Sequence, residues 1–390
     1  MSQLPPQLTV CAACREPLEP ADNFCGRCGA DLSAVPPAPD RTGPVLLSGA
    51  GDAGHTGDCS LAPPAGAVPA QTAQGPDGTG GTGTSGRPCG GCRSGMIDKD
   101  GYCEHCGHAQ PRERDHMEHE SAGVAAVSDR GLRHHRNEDA YAVAGAELPG
   151  GGPAVIAVVS DGVSSAARPD EASAAATAAA CEALTAALTR GEPPREATHR
   201  AILRAAEAVS ALATPGHPGR GERLRHENAP ACTIVSAVIT GDLLTIGWVG
   251  DSRAYWVPDD RSTQPARLTE DDSWAAQMVA AGLMSEAEAY ADERAHAITG
   301  WLGADAYEVE PHTASYHPDR PGVVLVCSDG LWNYAESAEQ MADIVPADAR
   351  TRPLECARRL LAHALDGGGH DNVTVAVLPF PERPHGAGSA

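Results

Sequence analysis

The chain has 390 residues, with 29 basic side chains against 52 acidic ones and a formal net charge of −23. That length suggests two or three domains, and the acid excess argues against nucleic acid or an anionic membrane as partner, since both need clustered positive charge. No apolar run reaches the ~20 residues of a membrane span and residues 1–10 lack a secretory pattern, so a cytoplasmic location is expected.

In chain order, the first feature is a cysteine pattern used twice. Cys11-x2-Cys14 is followed after ten residues by Cys25-x2-Cys28, and Cys89-x2-Cys92 after ten residues by Cys103-x2-Cys106. A CxxC turn aims two thiolates at one point, and a second such turn completes a tetrahedral four-sulfur site for Zn²⁺. Gly29 and Gly107 stand just after the last cysteines, where a tight knuckle favours positive φ. With four sulfurs in place no position opens for water, so two structural Zn²⁺ ions are expected, in zinc-ribbon-like modules at 1–32 and 88–110. Between them, the segment at 33–87 reads as a Gly/Pro-rich linker: residues 30–88 hold 12 Gly and 9 Pro and no aromatic residue. Too little apolar surface is present there to offset chain entropy. Residues 381–390 read as a similar tail.

The segment 118–380 is dense and periodic. Strands are expected at 124–127, 140–144, 154–159, 232–239, 243–249, 254–257, 323–327 and 373–378. Helices are expected at 170–190, 195–213, 272–281, 285–291 and 351–365. The strands 232–239, 243–249 and 254–257 are separated only by turn residues and read as an antiparallel meander, which points to an α+β domain.

The chemistry lies at strand ends. Apolar runs lead into Ser160-Asp161-Gly162 and Ser328-Asp329-Gly330, while Asn137-Glu138-Asp139 and His370-Asp371-Asn372 precede others, and Asp251 sits in Gly250-Asp251-Ser252-Arg253. One Asp-Gly or Asp-Asn reads first as a turn. Five acidic turns at strand termini read as a carboxylate site for hard cations, Mg²⁺ or Mn²⁺, suited to phosphoester hydrolysis.

The series runs Ser128-Asp129-Arg130-Gly131, Arg136-Asn137-Glu138-Asp139, Ser160-Asp161-Gly162, Gly250-Asp251-Ser252-Arg253, Leu268-Thr269-Glu270-Asp271-Asp272-Ser273, Ser328-Asp329-Gly330-Leu331-Trp332 and Asp371-Asn372-Val373. Taken in that order, it closely resembles the metal-dependent serine/threonine protein phosphatases of type 2C. The resemblance implies a four-layer α-β-β-α sandwich over 118–380 and a Mn²⁺ or Mg²⁺ pair at one edge of it. Asp139, Asp161, the Gly162 carbonyl, Asp329 and Asp371 would hold that pair, with Glu138 in support. Asp251 matches the position that helps to bind a third, weaker metal in bacterial members. It further implies hydrolysis of phosphoserine and phosphothreonine by a metal-activated bridging water without a phosphoenzyme, and a flap near 275–297. His134 stands where the family has its phosphate-binding arginine, with Arg133 and Arg136 beside it, and no histidine follows Gly162. The expected partners are phosphoproteins made by a bacterial-type Ser/Thr kinase, with the zinc modules contacting a protein. The other reading is a weakly active phosphoprotein-binding scaffold in which those modules do the main work.

Overall fold

Long Val/Ala/Ile runs bounded by polar turns, alternating with Ala-rich stretches, dictate a domain of strands and helices in similar measure. The computed structural model describes residues 103–106, 110, 112–213, 229–306 and 308–381. The chain divides into two compact units, Met1–Gln110 and Pro111–Ala390. In the first, Cys103 is buried and Cys106 exposed. Cys11, Cys14, Cys25, Cys28, Cys89 and Cys92 lie outside the described residues, as do the linker expected at 33–87 and nearly all of the tail.

The second unit opens with a 3-10 turn at Glu113–Asp115, followed by β1 (His116–Ser121), β2 (Val124–Asp129), β3 (Ala140–Glu147) and β4 (Pro153–Ser160). Helices α1 (Pro169–Thr189) and α2 (Pro194–Ala211) come next, then β5 (Ala231–Cys232), β6 (Ile234–Thr240), β7 (Leu243–Val249), β8 (Arg253–Pro258) and β9 (Ala266–Arg267). The chain continues through α3 (Trp274–Ala280), α4 (Glu286–Tyr290), β10 (Leu302–Gly303), β11 (His312–Tyr316) and β12 (Gly322–Cys327). It ends with α5 (Asp329–Trp332), α6 (Ala338–Ile344), α7 (Pro353–Asp366) and β13 (Val373–Phe380).

Two antiparallel sheets result, ordered β1-β2-β13-β12-β8-β9 and β11-β7-β6-β4-β3, with β10 and β5 as a small separate pair. The central strands are apolar on both faces because each face is covered. Along β4, Ile156 and Val158 pack toward α1 and α2, while Ala157 and Val159 pack between the sheets. Along β12, Leu325 packs toward α5–α7, and Val324 and Val326 face the other sheet. Period-two alternation thus feeds three cores, and the layers run α-β-β-α.

Three expectations change. The meander breaks after its first hairpin: β6 pairs with β7, but β8 joins the other sheet beside β12 and β9. The crossing turn uses Gly250 at φ +101°, where a Cβ would lie 2.7 Å from Thr233 Cβ. The strand expected at 232–239 is interrupted at Thr233, whose hydroxyl lies 2.7 Å from Ser252 Oγ and accepts the Asp161 N–H at 3.3 Å. Edge strands β1 and β11 are polar and carried no apolar signal. Separately, α1 is long and apolar enough, by length and composition, to cross a membrane, although Glu171 and Glu182 interrupt its apolar run. Its stripe of Ala172, Ala176, Ala180, Leu184 and Leu188 is buried in the core shared with α2. In the expected flap region, α3 and α4 enclose a small core of Ala275, Ala289 and Ala295, and the Trp274 N–H to Ala297 carbonyl bond (2.9 Å) closes its base.

Candidate metal centre

Strand pairing places the acids. β3 and β4 are antiparallel with Ala140 opposite Ser160, so Asp139 and Asp161 leave the same end of that pair. β12 and β13 are antiparallel with Cys327 opposite Val375, so Asp329 and Asp371 leave one end of theirs. Asp251 lies in the turn that crosses between the sheets. Each sheet therefore contributes two aspartates, and the crossover contributes a fifth.

Their electrostatics record the convergence. Burial raises the Asp139 carboxyl to about 7, with Asp329 and Asp371 adding repulsion. Burial and the charges of Asp139, Asp329, Asp371 and Asp251 lift Asp161 well above its ordinary value. Asp329 is raised to about 6 by burial and Asp371, and Asp251 to about 8 by burial and Asp329. Asp139 Oδ1 and Asp329 Oδ1 are buried with no hydrogen-bond partner. Buried carboxylate oxygens without donors call for positive charge, and an all-oxygen donor set suits Mg²⁺ or Mn²⁺ better than Zn²⁺. Among the described residues no three such side chains close on a single point. The fit to a cation therefore rests on the orphaned oxygens and on the donor chemistry.

Neutral side chains hold the acids in place. Ser328 Oγ donates to Asp139 Oδ2 at 2.7 Å and accepts the Thr374 N–H at 3.0 Å. Asn372 Oδ1 accepts the Glu138 N–H at 2.6 Å, while its amide donates to the carbonyls of Arg130 and Arg136. Gly162 permits a close approach: a Cβ there would lie 2.7 Å from the Glu138 carbonyl and 2.6 Å from that of Pro169. The Glu138 carboxylate turns to Arg136 Nε (2.8 Å) and Ser164 Oγ (2.6 Å). His134 Nε2 lies 3.1 Å from Asp371 Oδ1, whereas Arg133 and His135 are exposed. The basic residues singled out in the sequence are thus split, with Arg136 on Glu138 and His134 on a candidate ligand.

Residues 132–365 match the sequence model of the family described as protein phosphatase 2C, more than half of the chain. The chain belongs to that family. The serine/threonine protein phosphatase PstP of Mycobacterium tuberculosis is 33% identical over 157 residues, 40% of this chain and 28% of that protein. The serine/threonine phosphatase stp of Listeria innocua is 32% identical over 151 residues, 39% of this chain and 57% of that protein. The aligned part thus spans from about a quarter to a little over half the length of these curated relatives. The solved serine/threonine phosphatase Stp1 from Staphylococcus aureus shares the fold at TM-score 0.53 and 20% identity, over 70% of this chain and 99% of that one.

Two parts of this type 2C domain lay outside the sequence expectations. Arg253 and Asp271 form a wholly buried ion pair beneath Asp251, although both stand in quoted motifs. Arg114, outside every motif, reaches the backbone of the Asn137–Asp139 turn.

The raised carboxyls have a consequence for stability. The folded state keeps protons that the unfolded chain releases near pH 4, so the metal-free protein loses stability as pH rises from about 4 to about 8. His116 and His312, raised by Asp129 and Asp272, act with the same sign. Metal held by the aspartates would abolish only the carboxylate part. Thermal unfolding should therefore show a metal-free midpoint that falls steadily from pH 5 to pH 8, and a Mn²⁺-induced rise that grows over the same range. A Mn²⁺-induced rise independent of pH would contradict the acid cluster as the metal site.

Proposed function

We propose that the chain is a metal-dependent phosphatase acting on phosphoserine and phosphothreonine in proteins. The carrying observation is the set of aspartates delivered by both sheets to one edge, with buried oxygens that lack partners, inside a type 2C domain. Asp139, Asp161, the Gly162 carbonyl, Asp329 and Asp371 would hold two Mn²⁺ or Mg²⁺ ions, and Asp251 a third. Such ions supply a water nucleophile at neutral pH and offset charge on phosphoryl oxygens. The chain's own residues fix that site: Ser328 orients Asp139, Asn372 pins the Glu138 backbone, and Glu138 holds Arg136 beside the acidic turn. Burial pushes the thiols of Cys232 and Cys327 far up, which makes them poor nucleophiles and supports direct attack by water without a phosphoenzyme. Manganese-dependent phosphate release from a phosphothreonine peptide, with Asp329→Asn as control, tests the reading. Tight peptide binding with no turnover would favour the scaffold instead.

For the N-terminal unit we propose two structural Zn²⁺ sites, Cys11, Cys14, Cys25 and Cys28 in one and Cys89, Cys92, Cys103 and Cys106 in the other, serving to contact a protein partner. The substrates would be products of a bacterial-type Ser/Thr kinase, and the setting cytoplasmic. Residues 1–116 carry 8 basic and 13 acidic side chains, which speaks against a nucleic-acid reader. Metal analysis of the purified chain should find about two zinc ions resistant to mild chelation. Removal of residues 1–110 should leave hydrolysis of a small phosphoester within about twofold while altering phosphoprotein choice, because so few apolar residues there serve anything but zinc-driven folding. Zinc-free protein, or a folded but dead truncation, would refute this division of labour.

A further inference from the structure

The turn Asn137-Glu138-Asp139 belongs to no strand or helix, so its carbonyls find no ladder partners. All three are nevertheless taken. Arg114 Nε donates to the Asn137 carbonyl at 3.1 Å and Arg114 Nη2 to the Asp139 carbonyl at 2.9 Å. The Glu138 carbonyl accepts from Ser173 Oγ, which itself lies 3.2 Å from Arg114 Nη2. The clasp is reciprocal, because Asn137 Nδ2 donates back to the Arg114 carbonyl at 3.0 Å and to Ser128 Oγ at 2.8 Å. Ser128 Oγ in turn lies 2.7 Å from Thr374 Oγ1, beside the strand that follows Asp371.

Arg114 keeps this post at a cost. Burial draws its guanidinium below the usual value, while Asp170 and Asp139 pull the other way. A planar fork with several donors is what binds two carbonyls and a hydroxyl at once, and an ammonium group lacks that geometry. The residue lies 18 positions before the stretch that matches the family model, and eight positions after Cys106 in the chain.

We propose that Arg114 is a positioning residue for the metal centre: it fixes the backbone from which Asp139 projects, so that the segment ahead of the family domain helps to set metal affinity. This rests on Asp139 being a metal ligand. Removing a group that orients a ligand typically weakens metal binding 10- to 100-fold.

The test uses the full-length chain with Mn²⁺ as probe, read by calorimetry, together with hydrolysis of p-nitrophenyl phosphate across a Mn²⁺ series. Arg114→Ala should raise the Mn²⁺ dissociation constant about 10- to 100-fold. Its KM for the ester should stay unchanged, and kcat should recover substantially at saturating Mn²⁺. Arg114→Lys, retaining charge without the fork, should fall between Arg114→Ala and the unaltered chain. Arg358→Ala, which breaks the pairing of Arg358 with Glu118 on β1, should leave Mn²⁺ affinity unchanged. Wild-type affinity in a folded Arg114→Ala protein would overturn the proposal, as would an equal loss in Arg358→Ala. If Arg114→Ala does not unfold cooperatively, Arg114→Lys decides in the same way. A wild-type chain that binds no Mn²⁺ would overturn the metal reading itself, and this proposal with it.

Discussion

Asp329→Asn is expected to lower Mn²⁺-dependent hydrolysis about a thousandfold while raising the unfolding midpoint of the metal-free protein. The two effects share one cause. Asp329 follows β12 directly, feels the charge of Asp371, and keeps one buried carboxylate oxygen without a donor. An amide fills the same volume without charge, so the repulsion that strains the metal-free fold is relieved. In the proposed centre the same substitution would remove an anionic ligand from ions that would contribute several kcal/mol to the transition state, and a loss of ~4 kcal/mol is about three orders of magnitude. The opposite signs separate a lost ligand from a damaged fold. Parallel assays of phosphate release and thermal unfolding check both, and near-normal turnover would remove Asp329 from the site.

The second large effect concerns stability. Arg253 Nη2 lies 2.6 Å from Asp271 Oδ2 and Nε 3.0 Å from Oδ1, with both side chains almost wholly excluded from solvent. The guanidinium also stacks 3.5 Å from the Trp332 ring, whose indole N–H donates to the Asp251 carbonyl at 2.9 Å. Arg253→Met leaves the buried Asp271 carboxylate with only Arg267, 4.0 Å from its Oδ2 and partly exposed, and breaking a buried pair from one side costs about 3–5 kcal/mol. In a domain of this size the melting temperature should fall roughly 10 °C. Adding Asp271→Leu removes the poorly compensated charge and should restore much of the loss, because the two sites are in contact and not additive. Urea unfolding of the two variants measures this, and a single variant within about 1 kcal/mol of wild type would show the pair to be solvated.

What the sequence disclosed follows from burial. Strands such as β4 and β12 are covered on both faces, so they read as unbroken apolar runs, and the aspartates at their ends stand out. Strands at sheet edges need no such run: β11 is His-Thr-Ala-Ser-Tyr, held partly by His312 stacked on Trp248 with ring centroids 5.1 Å apart. Topology was less legible than the elements. Nothing local to Gly250-Asp251-Ser252-Arg253 says that β8 leaves the sheet of β7, because that departure is set by what Arg253 and Trp332 bury on the far side. Arg114 was invisible for a related reason. Its partners lie 23 and 25 positions away, and they are backbone carbonyls that leave no mark in the sequence.

The provenance of the four aspartates has a mechanical consequence. Asp139 and Asp161 ride on one sheet, Asp329 and Asp371 on the other, so the two pairs form the opposing jaws of a caliper. Its gauge is the packed interlayer of Ala157, Val159, Val324, Val326 and Ala376. Bending either sheet carries both members of a pair together, whereas sliding one layer past the other changes the gap between pairs. Cations differ in radius and in the geometry they demand. In the proposed centre, discrimination among them would therefore belong in part to valines and alanines that no ion touches.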